Sequence, residues 1–162
     1  MRPKPSVWAQ LADVRAWAAG GPDPDLVTLL DYVGFAATPD LLFAFADLFW
    51  PDLVVHEGLR FLASGFTVDT YEKWQRSGRS PEEIQRVMNH VHVSTLLQQK
   101  DVSDETAVEA ARIIAGIWGR TLGPEDIVAE AMGTGLADAA VTFHERHEAA
   151  KKSGAAPRLP SR

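Results

Sequence analysis

Five histidines, His56, His90, His92, His144 and His147, hold most of the chemistry open to this 162-residue chain near neutral pH. Imidazole titrates close to neutrality and ligates divalent transition metals, so acid–base or metal chemistry would run through these positions. The chain has no cysteine, which excludes thiolate nucleophiles, disulfides, iron–sulfur clusters and cysteine-ligated zinc. His90 and His92 are two apart. On a helix they would point about 200° apart, whereas on a strand they would share a face. His144 and His147 are three apart in a stretch that reads as helix, which makes them neighbours, with Glu145 and Glu148 interleaved. His56 stands beside Glu57. Together these spacings propose His56, Glu57, His90, His92 and His144 as ligands to a divalent metal, the one cofactor the sequence suggests.

The common metal and catalytic signatures are missing. The residue three before His90 is Val87 and three before His92 is Asn89, so neither histidine completes an H-E-x-x-H or Glu-x-x-His pattern. His147 continues a stripe of Leu136, Ala140 and Phe143, where a core-edge or helix-capping role accounts for it. No phosphate loop and no G-x-S-x-G elbow occurs, and Gly133-Thr134-Gly135 lacks the third glycine of a dinucleotide fingerprint. The adjacent acids Glu82-Glu83 and Asp104-Glu105 fall in helix first turns, where the helix dipole explains them.

Charge narrows the partners. The formal net charge is −6, but Arg2, Lys4, Lys151, Lys152, Arg158 and Arg162 lie in the termini, leaving −12 for residues 6–150. Between residues 6 and 59 Arg15 is the only base against eight acids. Such a surface repels phosphate backbones and favours a basic partner, so no nucleic acid is expected. No stretch approaches the roughly 20 apolar residues of a membrane span, and Gln10, Asp13 and Arg15 interrupt any signal-peptide core, which together imply no membrane and a cytoplasmic protein.

The elements that must position these groups are punctuated clearly. Ser6 to Gly20 carries a stripe of Val7, Leu11, Val14 and Ala18. Trp8 and Trp17, about 900° of helix rotation apart, face opposite sides of it. Asp23-Pro24 opens a second helix through Leu26, Leu29, Leu30 and Val33, and Thr38-Pro39-Asp40 opens a third. That third helix, residues 41–50, has Asp47 as its one polar residue, so it should sit centrally in the core or form an apolar surface that a partner covers. Leu53–Leu62 suits a hairpin turning at Glu57-Gly58. Helices capped by Asp69, Ser80 and Ser103 follow, then a short one from Gly123-Pro124-Glu125-Asp126 and a last one over 136–152.

The reading is therefore mainly α: a single compact helical domain of about seven or eight helices over residues 6–152, with one short β-hairpin near 53–62. Residues 1–5 and 153–162 are expected to be flexible basic tails. The function that fits is a non-enzymatic, acidic interaction module that self-associates or docks a basic protein partner, with Trp8, Trp17, Phe49 and Trp50 as its interface. The alternative is a small metal-binding protein or enzyme built on the histidine and glutamate set.

Overall fold

A computed structural model describes residues 36–97, 102–123 and 125–146, with positions 15, 16, 19, 20, 33 and 34. The expected tails, the helix bearing Trp8 and Trp17, and His147 lie outside the described residues. Five helices and five strands are delimited among those described. The domain is thus mixed α and β, and the expectation of seven or eight helices is corrected.

Helix α1 (Pro39–Phe49) starts where Thr38 Oγ1 accepts the Leu41 N–H, with proline at the first helical position and Asp40 in the first turn. Pro51 follows its C-cap, Trp50. Strands β1 (Leu53–His56) and β2 (Leu59–Leu62) pair antiparallel, Leu53 opposite Leu62 and His56 opposite Leu59. Glu57 and Gly58 form the turn with φ of 49° and 79°, the paired left-handed conformation that matches the twist of a tight hairpin. Helix α2 (Val68–Arg76) is capped by Thr67, two residues before the expected Asp69. Helix α3 (Pro81–Met88) carries the capping box read from Ser80 and Glu83.

The chain then becomes strand. Residues β3 (Val91–His92) lead into a single turn, α4 (Val93–Leu96), and the long helix α5 (Asp104–Thr121). Strands β4 (Ile127–Met132) and β5 (Ala140–Glu145) replace the two final helices expected from the sequence. The three-stranded sheet runs β3-β5-β4, with β5 central and antiparallel to both neighbours.

Its centre explains why the helix expectation failed. Val141 and Phe143 pack on Ile114 and Trp118 of α5, the Phe143 and Trp118 rings meeting edge-on at 5.8 Å. Thr142 and His144 face α3 instead, where the Thr142 hydroxyl donates to the Arg86 carbonyl at 2.7 Å. The alternation of a strand is present, but both faces are covered, so its polar members are as buried as its apolar ones. Between β4 and β5, Gly133 at φ 88° closes a loop in which Asp138 accepts the Thr134 and Gly135 N–H groups. A Cβ on Gly133 would fall 2.3 Å from the Asp138 carbonyl oxygen, which is why glycine stands there.

The hairpin is joined to this sheet by side chains. Gln85 and Asn89, one turn apart on α3 and its C-cap, are both fully buried. Asn89 accepts the Leu62 N–H and donates to the carbonyls of Arg60 and Phe143. Gln85 accepts the Glu145 N–H and donates to the Arg60 carbonyl and the Glu145 carboxylate. Two amides thus continue, past the two residues of β3, the pairing that a longer strand would have supplied. Arg60 adds an ion pair to Glu145 and a bond to the Leu122 carbonyl.

Replacing Asn89 by Leu strands the Leu62 N–H and the Phe143 carbonyl in the interior. At about 1–3 kcal/mol for each unsatisfied buried group, a stability loss of about 3 kcal/mol or more is expected by urea unfolding. Val55→Thr, on the exposed side of the hairpin, should change stability by under about 0.5 kcal/mol.

Candidate functional site

The histidines fall in three places. His56 closes β1, its ring 4.7 Å from that of Tyr71 and 5.3 Å from that of Phe66. The neighbouring Glu57, held in its left-handed conformation, accepts the Tyr71 hydroxyl at 2.8 Å and Gln75 Nε2 at 3.3 Å. These bonds dock the turn onto α2, so a residue disfavoured at positive φ is kept by what its carboxylate holds. Burial, the hydrogen bond to Glu57 and that carboxylate's charge together push the Tyr71 hydroxyl above its ordinary range.

His90 and His92 do come together, with ring centroids 4.5 Å apart. Burial, and then the neighbouring His92 imidazole, hold His90 below the ordinary histidine range.

His144, buried on β5, belongs to a cluster that sequence reading missed. Arg86 of α3 forks onto two carboxylates, Glu82 one turn before it and Glu130 on β4, while its Nη2 lies 2.6 Å from His144 Nε2. A guanidinium only donates, so in that contact the imidazole nitrogen is the acceptor. The cluster sets one guanidinium against two carboxylates and clamps α3 to β4 and β5. Only its Glu82–Arg86 spacing was visible in the sequence, because Glu130 reaches His144 through the register that sets Val128 against His144 and Glu130 against Thr142. Among the described residues, no group of three or more histidine, aspartate or glutamate side chains is placed to hold a metal ion together. His56, Glu57, His90, His92 and His144 are accordingly not one site.

The apolar surface lies elsewhere. No residue of α1 is buried, which corrects the expectation that this helix fills the core. Its C-terminal end is anchored, since Trp118 Nε1 donates to the Leu48 carbonyl at 2.8 Å and Thr121 Oγ1 to the Phe49 carbonyl at 3.2 Å. Leu48 and Phe49 pack against the main core, and Phe49 stacks on Phe45 at 5.7 Å. Leu41, Leu42, Phe43 and Phe45 remain exposed, Phe43 by 72%, and so does Trp50, by 62%. Of the four expected interface aromatics, Phe49 is therefore the partly buried foot of this surface and Trp50 its exposed edge.

Two depressions flank α1. An apolar groove of about 400 Å³ runs between Phe45 and Phe49 on one side and Val93, Leu97 and Ile113 on the other. A cavity of about 640 Å³ has Leu62, Val91 and Trp118 in its wall and Asp47 and Asp52 at its rim. From residue 33 to 59 the chain carries Asp40, Asp47, Asp52 and Glu57 and no base. The face is thus both apolar and anionic.

No protein family, curated protein or solved structure matches this chain. No helix among the described residues is long and apolar enough to cross a membrane.

A direct check of the Glu57 contact is alkaline unfolding. Tyr71 is held neutral by the fold, so its contribution is complete below its ordinary value near 10 and is lost as pH rises through the higher folded value. Wild type should therefore lose more stability than Tyr71→Phe between about pH 9 and 11, read as urea midpoints. Equal losses would show that Tyr71 does not titrate against Glu57.

Proposed function

We propose that this protein is an interaction module that docks a basic, amphipathic segment of a protein partner on α1. The observation that carries the reading is a helix whose side-chain anchors among the described residues lie at its C-terminal end, exposing Leu41, Leu42, Phe43, Phe45 and Trp50 beside three aspartates. Contiguous exposed apolar area with a polar rim is the signature of a binding face, and exposed aromatic side chains supply its anchors. An amphipathic helix laid along α1 would place apolar residues in the groove and lysine or arginine against Asp47 and Asp52.

Self-association fits the same face less well. A two-fold dimer sets a patch against its own copy, and here that would press Asp40, Asp47 and Asp52 toward their equivalents, with no base among the described residues that line the face.

The test uses the full chain and two synthetic amphipathic helices with the same leucine face, one lysine-rich and one glutamate-rich. Trp50 fluorescence should report binding of the basic peptide alone, weakening as salt rises. Phe43→Ser, at a largely exposed position, and Asp47→Lys should each weaken that binding about tenfold or more, about 1.4 kcal/mol. Binding of both peptides alike, or of neither, would overturn the reading. So would a species larger than 17.7 kDa in light scattering that Phe43→Ser returns to monomer, which would assign the face to a second copy.

A further inference from the structure

We infer that His90 and His92 form a two-imidazole site for a tetragonal divalent cation of the copper or nickel class, independent of the face on α1. Val91 packs on the main core and Val93 is fully buried, so His90 and His92 project together from the opposite face. Their backbone is fixed on both sides. Val91 and His92 pair with Val141 and Ala140, and the residue before His90 is the buried Asn89. His92 is the N-cap of α4, yet its side chain makes no capping bond. Among the described residues neither imidazole donates or accepts a hydrogen bond, so the ring nitrogens are available as ligands.

With metal–nitrogen bonds of about 2.0–2.1 Å and ring nitrogens about 1.1 Å from the ring centre, two imidazoles on one cation have centroids about 4.5–5.1 Å apart for angles from about 90° to tetrahedral. The two rings lie 4.5 Å apart and inclined at 64°, close enough to share one cation. Two neutral nitrogen donors suit copper(II) and nickel(II), and water would occupy the remaining positions. Because the fold already holds both rings together, binding orders little that is not ordered beforehand.

The test is titration of the untagged full chain with copper(II) in a non-coordinating buffer at neutral pH, followed by calorimetry and electron paramagnetic resonance. One cation per chain is expected, with two equivalent imidazole nitrogens in the equatorial plane. Affinity should fall in the order copper, nickel, zinc. His92→Ala, at an exposed position, should weaken binding at least tenfold and leave a single-nitrogen spectrum. His90→Gln should do the same, with circular dichroism confirming that each variant is folded. Copper bound unchanged by either substitution, a one-nitrogen spectrum in wild type, or zinc bound more tightly than copper would each overturn the site.

Discussion

Two buried carboxamides hold this domain together. Strand β3 is two residues long, and beyond it β5 would present the Phe143 carbonyl and the Glu145 N–H to the interior with nothing to bond. The hairpin brings the same problem from the other side, with the Arg60 carbonyl and the Leu62 N–H facing inward. Asn89 and Gln85 answer both edges at once. A carboxamide donates and accepts in one plane, as a peptide group does, so a helix can stand in for a missing strand without burying a charge. Once β2 is fixed in this way, Leu62 reaches the core around Trp118, while Leu59 and Phe61 close a second cluster with Tyr71 and Ile84.

That arrangement also decides what stays outside. The three-stranded sheet is covered by α5 on one face and α3 on the other, so α1 finds no remaining sheet surface to cover. Among the described residues it attaches by its last turn, through carbonyls that a helix end leaves unpaired in any case, and Leu41, Leu42, Phe43 and Phe45 remain exposed. The polar bridge has a second consequence one residue further on. It delivers the chain from the buried Asn89 into β3 with His90 and His92 on the outward side, which is how two imidazoles come to lie 4.5 Å apart.

What could be read beforehand was local. Thr38-Pro39, the Ser80 capping box and the turn at Glu57-Gly58 each satisfy backbone groups within four residues, and each is where the sequence places it. Strands β4 and β5 were hidden for separate reasons. Ala129, Glu130, Ala131 and Met132 are good helix formers placed in a strand by pairing with β5, and Gly123-Pro124-Glu125-Asp126 imitates a helix start. In β5 the spacing of Ala140 and Phe143 suits a helix, and the polar Thr142 and His144 are buried because α3 supplies Arg86 for them. Of the histidine readings, the conditional one survived: His90 and His92 share a face because the segment is extended. The partners of His144 depend on strand register and could not be found from spacing.

Helix α3, through its amides, joins hairpin to sheet, and α1 is peripheral, held among the described residues by its last turn. Native-state hydrogen exchange measures both statements together. The Leu62 and Glu145 amides should exchange only by global unfolding, at the same free energy as the centre of β5, while the amides of α1 should exchange through a smaller local opening. The contradicting result is a hairpin that opens on its own, with Leu62 exchanging well before Glu145, or an α1 as protected as β5.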